Sequence, residues 1–225
     1  MQKVYSSHQL SFLPWVGFFH KMYHSDIFSY AVDCQFTSRT WIHNSFIGQS
    51  DKKIKWGLQL NENFKHHAHT FKIKDIKVKP LFAERLLKEF EAFHGGDRYF
   101  KDIFLVLTDW LSMVDKMDSL WLINFVLLQK MTAFLGLETE IVPAFRSEVD
   151  ATQDIICDVK KVGADTYLSG PHGKYYLNEA LFQQEGIGVL YQKTDYLYQN
   201  YPLTLPATIA QIGMKKTIDL ICSEY

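Results

Sequence analysis

Residues 137–193, LETEIVPAFRSEVDATQDIICDVKKVGADTYLSGPHGKYYLNEALFQQEGIGVLYQK, decide the fold class. The run LETEIVPAF is strand-like and follows SLWLINFVLLQKMTAFLG, which reads as a helix capped by Ser119 and stopped by Gly136. Asp150 and Gln153 are spaced like a capping box, and ATQDIICDVKKVG carries helical apolar spacing up to Gly163. DTYLSG supplies a short strand with a turn, LNEALFQQEG a short helix ending at Gly186, and IGVLYQK a further strand. Strands separated by helices of crossover length predict an α/β unit with a parallel sheet.

The first 36 residues follow the same grammar. KVYSSH reads as a strand, a loop surrounds Pro14, GFFHKMYHS reads as a helix and DIFSYAV as a second strand. Residues 37–79 hold turn residues, lysines and alternating apolar positions with little helical periodicity, which predicts an irregular or hairpin-bearing insertion. From Pro80, placed where a first helical turn tolerates proline, LFAERLLKEFEAFHGG and YFKDIFLVLTDWLSMVDKM predict two helices joined by Gly95-Gly96. With the helix ending at Gly136 they form a helical segment over about 80–136, and the chain 1–225 reads as one layered, Rossmann-like α/β domain. No internal repeat or low-complexity stretch interrupts it.

Composition narrows the function classes. At 225 residues, 47% hydrophobic and 15% aromatic, the chain buries a sizeable core, which excludes disorder as its main theme. Lys and Arg total 24 against 25 Asp and Glu, a formal charge of -1, so no global field calls for nucleic acid or a membrane surface and recognition falls to a local site. Cys34, Cys157 and Cys222 are odd in number and lack CxxC spacing, which argues against a disulfide framework and a zinc site and suits a reducing compartment. The N-terminus lacks a basic region followed by an apolar stretch, and no run approaches the 18 or so apolar residues of a membrane helix, so the expected location is cytoplasmic.

In an open parallel sheet, ligands bind beyond the carboxyl ends of the strands, and His8 to Gly17 occupies the loop after the first strand. His8 and Gln9 at the strand end either face a pocket or need buried partners. Gly17 lets backbone approach a ligand, and amide donors at a helix start favour anions such as phosphate. His20, one turn in, is placed to donate to a phosphate oxygen or to carry a proton near neutral pH. His20 and His24 also fit a solvated helix face, and Trp15, Phe18 and Phe19 fit a core.

A second constellation, VDCQFTSRTWIHNSFIG, gathers Asp33, Gln35, Arg39, Trp41 and Asn44 after the second strand, with alternation placing Asp33 and Gln35 on one face. An acid, two amides and a guanidinium read a polar ligand bearing hydroxyls, a carboxylate or phosphate, unless they form a polar edge strand with its turn. The third, YLSGPHGKYYLNEALF, sets Ser169, Gly170, His172, Lys174 and Tyr175 around a Gly-Pro turn between a strand and a helix. It is not a P-loop, so phosphate recognition there would fall to backbone amides and Lys174, and a plain connection remains the alternative. HHAHT at 66–70 lacks cysteine or HExxH context and is read as solvated sequence, so no metal site is expected. Neither a Ser-His-Asp pattern nor a convincing thiol nucleophile is present.

Together these stretches resemble the WbqC-like family. The likeness lies in HQLSFLPWVGFFHKMYHSDIF, DCQFTSRTWIHNSFIG, VGADTYLSGPHGKYYLNEALFQQEGIGVLY and KKTIDLIC, in that order, with Pro14-Trp15-x-Gly17, Asp33-x-Gln35 and Tyr167 to Gly170 its strongest elements. The chain departs from the family at Val32, where a second acid is usual, at TWIHNS, where an Arg-x-Arg-Asn stretch is usual, and at His20, where an acid is common. The resemblance implies a bacterial protein of surface-polysaccharide or small-metabolite biosynthesis that attaches aminoacyl groups to an amino sugar. The layout is also similar to nucleotide-binding ligases of the pantothenate synthetase type, which implies ATP with magnesium as a cofactor, Gly17 and His20 facing its phosphates and the Ser169 loop closing over them.

The reading that follows is an acyl- or aminoacyl-transferring enzyme that forms an amide on an amino sugar or similar amine. His8 or His20 serves as base, Gln35, Asn44 or backbone amides stabilise the oxyanion, Asp33 orients the amine or base, and Arg39 holds a carboxylate or phosphate. Gln9, Pro14, Trp15 and Gly17 with the Ser169 loop bind a small-molecule substrate such as a nucleotide-linked amino sugar. The alternative is a non-catalytic nucleotide-sugar or carrier binding module of the same fold, and a hydrolase ranks last. The apolar helix 119–136 fits a central core or a homodimer interface.

Overall fold

The computed structural model describes residues 2–37, 41–49, 51–65, 70–144 and 150–224. In chain order its elements are β1 (Val4–Gln9), α1 (Val16–Tyr23), β2 (Ile27–Ala31), β3 (Asn44–Gly48), β4 (Lys53–Gly57), α2 (Glu62–Lys65), α3 (Ala83–His94), α4 (Phe100–Val114) and α5 (Leu120–Leu135). There follow β5 (Glu140–Pro143), α6 (Ala151–Lys161), β6 (Thr166–Ser169), α7 (Glu179–Gln184), β7 (Gly188–Tyr191), α8 (Asp195–Asn200), α9 (Leu205–Ile212) and α10 (Met214–Ile221).

The five-stranded sheet runs β5-β2-β1-β6-β7 with every pairing parallel. It is the layered α/β fold that the alternating strand and helix signals predict. The chain winds outward from β1 to β2 and β5, then returns to the other side of β1 for β6 and β7, so strand order reverses between β1 and β6. In open α/β sheets the crevice beyond the strands' carboxyl ends at such a reversal is where ligands bind. Pairing with β6 ends at Ser6↔Leu168, whereas pairing with β2 continues to Gln9↔Ala31. The last residues of β1 therefore project past the β6 pairing at that end of the sheet.

Two apolar clusters cover the sheet. Phe28 and residues of α1, α4, α5 and α9 build the larger one, while Tyr5, Ile27 and Tyr167 meet Ile155, Ile156 and Val159 of α6 and Phe182 of α7 on the other face. Local signals explain several boundaries. The Asp150 carboxylate accepts from the amides of Thr152 (2.7 Å) and Gln153 (3.3 Å) to start α6. Gly136 takes φ +67° to end α5, whose Leu120, Ile123, Leu127 and Met131 are buried in the core. Helix α3 begins at Ala83 rather than at Pro80, because Leu81 has φ +63° and breaks the helical path. Asp115 holds this corner, its backbone carbonyl accepting from Leu81 N and its carboxylate from Ala83 N.

Strands β3 and β4 form the antiparallel hairpin expected in the insertion. The rest of that segment attaches by isolated pairings, Gln35↔Lys72, Leu60↔Val78 and Lys77↔Ser119. Among the described residues, no helix is long and apolar enough to cross a membrane.

Candidate functional site

The loop leaving β1 is clamped on several sides. Phe12 N donates to Trp41 O, Leu205 N donates to Pro14 O, and the Thr204 hydroxyl donates to Leu13 O. Asn124 of α5 donates to Ile42 O at 2.7 Å and Leu10 O at 3.4 Å. Leu13 is fully buried with φ +42°, an unusual conformation for leucine that these contacts enforce.

His8 stands at the projecting end of β1. Its Nδ1–H donates to Gln9 O at 2.8 Å, which leaves the Nε2 lone pair available, and Phe18 meets the ring edge-on at 5.0 Å. The side chain is exposed at the carboxyl end of the central strand, and its pKa is lowered to about 4 by desolvation first and the Lys21 charge second. His8 is therefore neutral at physiological pH. Gln9 turns its amide to Cys34 Sγ at 3.3 Å, which ties β1 to the loop after β2.

Two expected phosphate-facing residues are not available for that role. A Cβ on Gly17 would lie 2.3 Å from the Trp15 indole, so the open side of the glycine is filled by Trp15 and not by a ligand. His20 is 1% exposed. Its Nδ1 accepts from the Gln192 amide at 2.9 Å, its ring also hydrogen-bonds the Ser223 carbonyl, and burial followed by the charge of His24 lowers its pKa to about 4. The same Gln192 nitrogen donates to Gly17 O at 2.8 Å. Gly17 and His20 thus bind α1 to the segment after β7, and the nucleotide-ligase layout with phosphates on these two residues does not fit this chain.

Asp33 pairs with Lys74 at 2.5 Å, Gln35 is exposed, and residues 32–36 lie along 71–74 through backbone hydrogen bonds such as Phe36 N to Phe71 O and Ile73 N to Cys34 O. Arg39 and the histidines of HHAHT lie outside the described residues. Asn44 is buried and lines a separate recess of about 420 Å³ between the hairpin and α3, with His43, Lys55, Trp56, Arg85 and Phe93. Desolvation and then the Lys55 charge lower the His43 pKa to about 4 there.

After β6, Ser169 is buried and its hydroxyl donates to Gly170 O at 3.1 Å. A Cβ on Gly173 would meet Ser169 Oγ at 1.9 Å, so a glycine is required where the short 3-10 turn Pro171–Tyr175 folds over that serine. His172, Lys174 and Tyr175 are exposed on this turn, the histidine stacked on the tyrosine at 6.2 Å and Lys174 Nζ 5.3 Å from the ring centre. Pro14 is buried, whereas Trp15 is half-buried in an aromatic wall with Trp41 at 6.4 Å and Tyr198 at 5.7 Å.

Sequence reasoning missed the buried charges. Lys21 is 3% exposed and donates to Ser7 O at 2.8 Å, directly behind His8. Its signal was its place among apolar residues of α1. Asp154 and Asp158 are also buried, one turn apart on the sheet-facing side of α6. Tyr5 OH donates to Asp158 Oδ2 at 2.9 Å.

The doubly wound parallel sheet, with His8 at the end of β1 beside the strand-order reversal, defines a Rossmann-like α/β protein. The sequence profile of the WbqC-like protein family matches residues 9–205, and the chain belongs to that family. The chain is also 24% identical over 199 residues to the uncharacterized protein Rv1507c of Mycobacterium tuberculosis, covering 86% of this chain and 83% of that one. No solved structure matches significantly.

Proposed function

We propose that this protein transfers an activated acyl or aminoacyl group to the amine of an amino sugar or a similar amine, in surface-polysaccharide or small-metabolite biosynthesis. The observation that carries the reading is His8, whose Nδ1–H is engaged by Gln9 O and whose Nε2 is left as an acceptor beside the strand-order reversal. In amide formation the amine nitrogen bonds to the acyl carbon, the carbonyl π electrons move to oxygen, and the nitrogen becomes acidic. His8 Nε2 accepts that proton as the oxyanion collapses and the donor's leaving group departs. A neutral imidazole holds the lone pair that this proton needs.

In this reading Gln35 and backbone amides at the crevice stabilise the oxyanion, Asp33 orients the amine, Gln9 and the Ser169–Gly170 turn bind substrate, and His20 is a positioning residue. The half-buried Trp15 and Trp41 rings, at the same edge, suit the apolar face of a sugar carried on a nucleotide. The test is incubation of the protein with nucleotide-linked amino sugars and activated acyl or aminoacyl donors, including amino acids with ATP and magnesium, read by mass spectrometry for the amide. His8→Ala should cut turnover by about 100-fold or more, the scale of a lost general base. Full turnover in His8→Ala, or no amide from any pair, overturns the reading.

A further inference from the structure

On the α6 side of the sheet, an otherwise apolar contact holds a set of polar groups just below the carboxyl edge. Ser7 and Ser29 are register partners on β1 and β2, so both side chains leave the same face of the sheet. That face meets α6, as Tyr5 and Ile27, two residues earlier on the same strands, pack against Ile155 and Val159. Ser7 Oγ lies 3.5 Å from Tyr167 OH of β6. Asp154, 5% exposed, projects from the first turn of α6 on the side that Asp158 uses to reach Tyr5.

Within this set the Ser29 hydroxyl is 1% exposed and has no hydrogen-bond partner among the described residues. Leaving a buried hydroxyl unpaired is destabilising, so a protein with no use for it would gain from alanine at this position. A buried carboxyl group and several buried hydroxyls on one face of the sheet near its carboxyl end match one chemistry. Each N–H of a primary ammonium finds an oxygen acceptor, and the acid balances the charge.

We infer that Asp154, Ser7, Ser29 and Tyr167 form a subsite for the ammonium group of a substrate, on the face of β1 opposite His8. The inference rests on the amide-forming reading for what the ammonium belongs to. A group held there is one that the reaction leaves unchanged, since the reacting nitrogen must lie on the His8 side of the strand.

The test uses binding alone. Glycinamide, which carries an ammonium, and acetamide, which lacks one, are titrated into the full chain by ligand-observed NMR. Glycinamide is expected to bind and acetamide not. Asp154→Asn should weaken glycinamide by about 10-fold or more with the circular dichroism spectrum unchanged, the scale of a charge-assisted hydrogen bond. Ser29→Ala should weaken it while leaving the melting temperature equal or higher, a combination that a purely structural hydroxyl does not produce. Equal binding of both amides, binding of neither, or glycinamide affinity indifferent to Asp154→Asn overturns the subsite. Glycinamide binding without amide formation by any substrate pair would sink the proposed reaction and leave the subsite standing. Amide formation with normal KM values in Asp154→Asn would do the reverse.

Discussion

Replacing Gly17 by alanine tests how the Pro14-Trp15-x-Gly17 turn is built. The new Cβ would lie 2.3, 2.4 and 2.8 Å from three carbons of the Trp15 indole, where ordinary contact begins near 3.4 Å. The ring must retreat by about 1 Å or leave its place. Retreat disturbs its packing with Trp41 and Tyr198, and overpacking of this kind costs about 1–3 kcal/mol. Alanine recovers about 1 kcal/mol through helix propensity, so the net loss is about 0–2 kcal/mol. The decisive comparison is the same substitution in a Trp15→Ala background, where the obstacle is gone and Gly17→Ala should be neutral or stabilising. Urea unfolding of the four proteins supplies the cycle, read from the midpoints with m unchanged. An equal cost of Gly17→Ala in both backgrounds would refute the claim that this glycine exists to seat the indole, and would return it to a ligand-facing role.

Two further outcomes follow from buried polar groups. His20 has a folded pKa of about 4 against 6.5 unfolded, so the fold disfavours its charged form; stability is full above pH 6.5 and is lost as pH falls toward 4, by about 3 kcal/mol from this residue. His20→Gln, which does not titrate, should flatten that part of the denaturation profile, and an unaltered profile would show that the imidazole is not held neutral. Tyr5→Phe removes a buried donor from Asp158 and should cost about 1–3 kcal/mol, less when Asp158→Asn is already present; a change within about 0.5 kcal/mol of wild type in urea melts would deny the bond a structural part.

What could be read from the sequence was local. Asp150 as a cap, Gly136 as a stop and the alternation of short apolar runs with helices each depend on neighbours a few residues away, and they suffice for the parallel α/β class. The insertion's hairpin was legible for the same reason, through turn residues around 49–52 flanked by alternating runs. The start of α3 was misjudged because proline is compatible with a first turn, while the positive φ of Leu81 is imposed by Asp115, more than thirty residues later. Charge misled more than apolarity did. Charged side chains are mostly exposed, and only packing against strands distant in the sequence shows Asp154 and Asp158 to be buried. Asn44 was grouped with Asp33 by proximity in sequence, yet the hairpin directs it to a different recess.

The polar residues between His8 and His24 are dense because β1 is the middle strand of the sheet, with a neighbour on each side and helices on both faces. Each polar group answers a different segment. Gln9 reaches Cys34 after β2, Lys21 holds the Ser7 carbonyl, His20 takes Gln192 from the far edge of the sheet, and the ring of His24 hydrogen-bonds Ser223 near the C-terminus. Three of those partners lie 25 to 199 residues away, so the sequence displays a cluster of reactive side chains without the contacts that occupy them. Among the histidines of this stretch, His8 alone sits at the projecting end of β1 with a ring nitrogen turned to no protein acceptor or donor among the described residues. In the proposed reaction the chemistry narrows to one imidazole on one face of β1, and the ammonium subsite proposed around Ser7 and Ser29 lies on the opposite face of the sheet. A substrate serving both would pass over the end of β1, where pairing with β2 continues beyond the last pairing with β6.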